Sequence, residues 1–457
     1  MSKIDTSLNK HWTKFQLLKY AFPSIVMMFT ISVYEIIDGF FISNFIDSTS
    51  FAAVNLVFPF LMILASFGMM IGSGSSAIIA NKMGENKPQV ANRYFSMFVY
   101  FLIICGILLS VIGIFVTKPV VILLGAEDYL LDVATYYGLM SLISMPAYIL
   151  QTAFLTFYNT AGKPKMGLIT AIISGVTIFV LDFVFVAILN FGINGILIAT
   201  ITTEYVSAII PICYFARKKN KSLLRFVGPK EAFKNQNPSS IALILKSCLN
   251  GSSEAVQEIA ASLVILLCMF QINKFIGEDG LVAYGIIDYA WIVFNSFYLG
   301  FAVAVAPLMS YQQGADNRAE MKNLLKCGLT IIIIASIVSF ALSILLAPVI
   351  AGVFVSYDPH LAEYSVYAFR IYSISFLFAG ISIYGSSVFT SLGDGLTSAL
   401  IAFLRTLVFE AAALLILPEI IGSDGIWFAI GFAEVLATIL TIVFLCVKRK
   451  KFFGLKC

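Results

Sequence analysis

Carboxylates stand where this sequence is otherwise apolar: Glu35, Asp38, Asp182, Glu204, Glu254, Glu258, Asp288, Glu410 and Glu434 all fall inside long hydrophobic runs. At the centre of a membrane helix such a group costs roughly 2.5–3.5 kcal/mol on insertion scales. Two arrangements offset that cost: pairing with a buried base, or reversible binding of a proton or cation. Asp38, Asp182 and Thr200 fit the second. With about 1.5 Å of rise per residue, Asp38 lies about 9 Å below the outer end of its run, Asp182 about 10 Å and Thr200 about 9 Å. Three oxygen-bearing side chains at one depth on three helices can converge on a single coupling-ion site. Glu35, one turn before Asp38, either extends that site or lines a cavity beside it.

Other polar residues in the apolar runs point to cargo or to scaffold. Glu254, Gln257 and Glu258 share one helical face at i, i+3 and i+4, with the two acids about 11 and 17 Å above the inner end of the helix. They suit attraction of a cation into a substrate cavity, with Asp288 beside them. Aromatic and Met side chains stack on flat cations, and Tyr34, Met140, Phe154, Tyr158, Met269 and Tyr289 are candidates for that cavity. Arg405 reads as a buried structural charge, with Asp288 or Glu410 as its partner. Glu204 and Glu434 occupy matching places in an internal repeat, each nine residues after a glycine (Gly195, Gly425). That symmetry favours a shared structural duty. Catalytic constellations are absent from the sequence: it holds no HExxH, no GxSxG and only two His, His11 and His360. The seven Cys have no CxxC spacing, so neither a zinc site nor a disulfide framework is expected. No cofactor and no resident metal is expected, apart from Na⁺ as an alternative to H⁺ at the coupling-ion site.

The elements that hold these residues are set by composition. Of 457 residues, 60% are hydrophobic and 12% charged, with 41 Phe. A soluble domain carries roughly twice that share of charge, so lipid must be the solvent for most of this chain. Runs long enough to cross a bilayer as helices lie near 20–44, 54–80, 94–117, 130–160, 167–189, 194–216, 247–276, 281–312, 324–347, 364–392, 396–417 and 426–447. The expected fold is an all-α polytopic membrane protein of twelve transmembrane helices. Pro23, Pro59, Pro146, Pro211 and Pro307 interrupt these spans and permit bends. With the N-terminus inside, the inner segments hold 25 of the 29 Lys and Arg, against Lys118 and Lys274 outside. That asymmetry places both termini in the cytoplasm of a multi-pass cell-membrane protein. The net charge of +4 is spread between apolar runs and gives no nucleic-acid footprint.

The longest polar stretch, 217–246, separates an N-lobe (20–216) from a C-lobe (247–447), with a lead-in at 1–19 and a basic tail at 448–457. Gly72 and Gly84 in "MIGSGSSAIIANKMGENK" are echoed by Gly300 and Gly314 in "YLGFAVAVAPLMSYQQGADN". Two six-helix halves of like orientation imply a pseudo-two-fold axis along the membrane normal and a central cavity.

The order of several motifs along the chain resembles the multidrug and toxic compound extrusion (MATE) family, prokaryotic branch. They are "YEIIDGFFISNFIDSTSFAAVNLVFPF", "MGENKPQVAN", "YNTAGKPKMGL", "LDFVFVAILNFGINGILIATI", the stretch from "NGSSEAVQEIAASL" to "APLMSYQQGAD", and "FLRTLVFEAAALLILPEIIGSDGIWFAIGFAEV". The resemblance covers about residues 15–450. It implies a secondary antiporter that exports organic cations or other amphipathic small molecules against H⁺ or Na⁺, working as a monomer. It also places Asp38, Asp182 and Thr200 where the family's N-lobe cation site has two acids and a threonine. The family's archaeal members carry an Asn one turn before the second acid. Here that residue is Ile178, which leaves H⁺ and Na⁺ both open. A flippase for lipid-linked oligosaccharides shares the two-lobed design and is the alternative, although its cavity should be basic and these buried charges are mostly acidic.

Overall fold

The computed structural model describes residues 8, 10–217, 222–234, 239–355 and 358–454. The order is α1 (Lys14–Phe45), α2 (Ser48–Gly84), α3 (Pro88–Leu123), α4 (Asp128–Ser141), α5 (Met145–Thr160), α6 (Pro164–Asp182) and α7 (Ile193–Ala216). Then come the short α8 (Pro229–Ala232), α9 (Ser240–Phe275), α10 (Glu278–Gly314), α11 (Arg318–Val355), α12 (Pro359–Tyr372), α13 (Phe376–Ser391), α14 (Gly395–Ala402), α15 (Glu410–Ile421) and α16 (Asp424–Phe453). No strand occurs among the described residues. Among the described residues, eleven helices are long and apolar enough to cross a membrane, and twelve if the bent pair α4–α5 is one span. The 60° bend falls just before Pro146, in the first turn of α5. Proline is tolerated there because its missing N–H would have had no intrahelical acceptor. Large apolar side chains such as Ile104, Leu108, Phe115, Leu345 and Val353 are more than half exposed, as a lipid-facing surface requires.

Helices meet closely where side chains are small. A Cβ on Gly72 would fall 2.7 Å from the Ala153 Cα on α5; the missing side chain lets α2 and α5 pack backbone to backbone. Beside it, Ser76 and Thr160 hydroxyls bond across the same helix pair. Asp47 caps α2 by accepting from the Thr49 and Ser50 amides at 3.1 and 2.9 Å and from the Ser50 hydroxyl at 2.6 Å. The Ser50 hydroxyl and amide hold its carboxyl below the ordinary carboxylate range. A depressed value means that the cap contributes above about pH 4 and is lost as pH falls through the folded value. Asp47→Ala should cost about 0.5–2 kcal/mol. Thermal unfolding in detergent at pH 7 should show the loss, and the difference from wild type should narrow as pH falls below about 4.

The chain divides into two compact units, Met1–Lys10 with Val26–Gly251, and His11–Ile25 with Ser252–Cys457. These bounds differ from a division at the polar stretch 217–246. The start of α1 belongs to the second unit and the start of α9 to the first. Within the second unit, Trp12 is buried. Its backbone N–H donates to Glu320 Oε1 at 2.9 Å, and Asn323 donates to its backbone carbonyl at 2.8 Å. Part of the expected lead-in is thus a packed element. Within the first unit, the middle of the expected linker is laid along α3. Tyr100 donates to the Val227 carbonyl (2.9 Å), Val227 N–H to Ser96 (2.9 Å), and Arg93 Nε to the Glu231 carbonyl (3.1 Å). Residues 218–221 and 235–238 of that stretch lie outside the described ones, as do 1–7, 9 and 455–457. The described part of the basic tail continues α16, and Lys448 bonds Asp394 at 2.6 Å.

Candidate functional site

In the first unit, α1, α6 and α7 bring the acids together. Helices α6 and α7 run antiparallel through a tight connection and touch at Ser174–Ser207. Eight residues up α6 and eight back along α7, about 12 Å from that contact, Asp182 comes level with Ala199 and Thr200. The side chain of Asp182 is fully buried, and it faces the carboxyl of Asp38 from α1 within hydrogen-bonding reach. Immediately after Asp182 the helix loosens into a π-helical stretch, Phe183–Ile188, a distortion that recurs at functional sites.

What distinguishes the site is its want of donors. Asp38 Oδ1, both Asp182 carboxyl oxygens, Thr200 Oγ1, Thr203 Oγ1 and Glu204 Oε2 are buried, and no donor among the described residues reaches them. Buried polar atoms are nearly always hydrogen-bonded, and a desolvated carboxylate is costly unless its charge is met. Two facing carboxyls are both acceptors. One proton between them turns one group into a donor and removes one charge.

The repeat predicts a shared structural role for Glu204 and Glu434. The structure separates them. Glu204 lies near Asp38, with Ser144 as its hydrogen-bond partner and Tyr34 and Tyr137 alongside. Glu434, in the second unit, forms a two-pronged ion pair with Arg405: Nε lies 2.9 and 3.0 Å from the two carboxyl oxygens, and Nη2 lies 2.6 Å from Oε1. Arg405 therefore takes Glu434 as partner, not Asp288 or Glu410; its guanidinium projects from the π-helical stretch Phe403–Phe409 between α14 and α15. Glu410 is close enough to feel both charges. A sequence signal for the difference was present: only the C-terminal half has an Arg inside a span to meet its repeat acid.

The remaining candidates fall in three places. Glu35 is exposed, one turn before Asp38 on α1. Tyr34 and Tyr158 are buried inside the first unit, lining a small internal cavity rather than an open surface. Tyr158 packs on Phe154 and Phe215 and shares a hydrogen bond with Thr170. In the second unit, Glu254, Gln257 and Glu258 are half-buried along α9, with the two acids close to one another. Asp288 is half-buried near Cys268, Tyr284 and Tyr372. Among the described residues, no group of three or more His, Cys, Asp and Glu is placed to hold a metal ion.

Known proteins match this chain along its length. A family model described as MatE matches residues 23–184 and 254–413. The multidrug export protein MepA of Staphylococcus saprophyticus is 23% identical over 443 residues, which cover 95% of this chain and 94% of that protein. The probable multidrug resistance protein YoeA of Bacillus subtilis is 24% identical over 304 residues, 65% of this chain and 64% of its own. A solved structure described as the outward-facing conformation of a multidrug resistance MATE family transporter of the MOP superfamily superposes over all of both chains. Its TM-score is 0.90 at 19% identity, a likeness of fold. With both halves of the chain matched by the family model, and a multi-pass helical fold around buried acids, the chain belongs to the multidrug and toxic compound extrusion family of membrane transporters.

Proposed function

We propose that the protein is a secondary antiporter of the cell membrane that exports organic cations or other amphipathic small molecules in exchange for protons bound at Asp38 and Asp182. One observation carries this reading: two carboxyls face each other in the first unit with buried oxygens that no protein donor reaches. A proton satisfies that arrangement with no further ligand. A Na⁺ ion would need an oxygen shell, and Ile178, buried against Tyr34 and Ala199, occupies the next turn of α6 with carbon instead. The relatives named as multidrug export proteins support the cargo class. The acids Glu254, Glu258 and Asp288 give the second unit an excess of negative charge that attracts such cargo. The basic segments lie on the cytoplasmic side, so proton entry is driven by about 2.3 kcal/mol per charge for each 100 mV. Coupling follows because the protonated and free pairs favour different packings.

The test is dye transport by the purified protein in liposomes. A pH gradient imposed without Na⁺ should drive ethidium movement, and its size should not change when Na⁺ is added symmetrically. Transport driven by a Na⁺ gradient at equal pH would overturn the proton assignment.

A further inference from the structure

The bend between α4 and α5 is held from outside its own helix. Pro146 has no N–H, so the Leu142 carbonyl four residues earlier loses its usual helical donor. It accepts instead from the Met145 N–H at 3.3 Å and from the Ser110 hydroxyl of α3 at 2.8 Å. The Ile143 carbonyl accepts from the Tyr205 hydroxyl of α7 at 2.9 Å. Freed backbone groups in a broken span must be met in this way, because lipid offers no donor.

Glu204 precedes Tyr205 on α7, one turn along from Thr200, and reaches the same break. Beside it is Ser144, which is 2% exposed and whose hydroxyl lies 2.9 Å from the Ser141 carbonyl. That hydroxyl has one hydrogen for two acceptors, the Ser141 carbonyl and the Glu204 carboxyl. Ionisable groups around Glu204 are Asp38 and Tyr34 of α1, with Glu35 next to Tyr34, and Tyr137 of α4; Asp182 of α6 lies beyond Asp38. Glu204 Oε2 is buried, and no donor among the described residues reaches it.

A scaffold role leaves this arrangement unexplained. The repeat counterpart, Glu434, receives three hydrogen bonds from a guanidinium. Glu204 has a shared hydroxyl and an acid for a neighbour. Like charges repel most strongly where water is excluded. When the aspartate pair gives up its proton, the added charge presses the Glu204 carboxylate toward Ser144 and draws that hydroxyl off Ser141. When the pair is protonated the push is gone, and the hydroxyl returns to the Ser141 carbonyl at the end of α4.

We infer that Glu204 is a positioning residue that sets the α4–α5 bend according to the charge on the Asp38–Asp182 pair. The inference rests on the proposed proton coupling. Its action on transport runs through Ser144 and the bend, whose two packings the pair favours differently.

The test is hydrogen exchange of the break amides, residues 142–145, in the purified full protein. Exchange is read by mass spectrometry over a pH series and corrected for its intrinsic pH dependence. Wild-type rates should change by about threefold or more as the pair titrates. Glu204→Gln keeps the shape and an acceptor for Ser144, so a merely structural Glu204 predicts an unchanged response. The expected result is a flat profile in Glu204→Gln and in Asp38→Asn, restored in part by Glu204→Asp. Ser144→Ala leaves every carboxyl in place and should be flat as well. Tyr205→Phe only frees the Ile143 carbonyl and should raise exchange alike at every pH. A flat wild-type profile, or a wild-type response in Glu204→Gln with Asp38→Asn flat, overturns the inference and leaves the acid pair standing. A wild-type response in Asp38→Asn overturns the inference and the proton site together.

Discussion

Replacing Arg405 with Met is expected to destabilise the protein by about 3–5 kcal/mol, because it strands the Glu434 carboxylate in the interior. Glu434 is fully buried, and all three of the hydrogen bonds seen at its carboxylate come from Arg405. Removing the guanidinium removes those donors and the opposing charge they carry, with Glu410 near enough to add repulsion. The apolar double variant Arg405→Met/Glu434→Leu removes the stranded charge along with its partner and should recover most of the loss, since a buried pair often contributes little beyond an apolar isostere. Thermal unfolding in detergent measures both. A single variant that melts with the wild type, or a double variant no better than the single, would refute this account of the pair. Transport by the double variant separates scaffold from mechanism: a purely structural pair predicts that dye transport survives.

The same pair shows what the sequence could and could not disclose. Hydropathy fixes where helices cross a membrane, because backbone groups in lipid must bond within their own helix; the twelve expected spans are therefore found, with α4 and α5 sharing one and bending at Pro146. The depth of Asp38 and Asp182 follows from helical rise alone, which is why their approach to one another was legible. Rotation and partner choice are not fixed by rise. Arg405 was expected to pair with Asp288 or Glu410, and packing against α16 selects Glu434 instead. The unit bounds were equally hidden. Polarity at 217–246 reports contact with water, whereas membership of a unit is decided by what α1 and α9 pack against, and Val227 and Glu231 of that segment are bonded to α3.

Neutralising the acids of the first unit is expected to have the largest effect on transport. Asp38→Asn and Asp182→Asn should each reduce pH-driven ethidium transport to the level of protein-free liposomes. Asparagine keeps the shape and can donate through its amide, so it imitates the protonated acid but can neither release nor take up a proton. The protein should therefore remain folded, and its melting temperature should not fall, because a donor now meets oxygens that had none. Binding of ethidium and exchange of internal for external dye should persist, since neither needs net proton movement, while dependence on the pH gradient disappears. Glu204→Gln should weaken coupling without abolishing it, as Glu204 stands beside the pair and already has Ser144 as a partner. The pattern matters more than any single loss. If either aspartate variant lost dye binding and exchange together with pH-driven transport, its carboxyl would be holding the cargo or the fold. If both variants still followed the pH gradient, the proton would be carried elsewhere, and the half-buried Glu254 and Glu258 of α9 would be the next pair to neutralise.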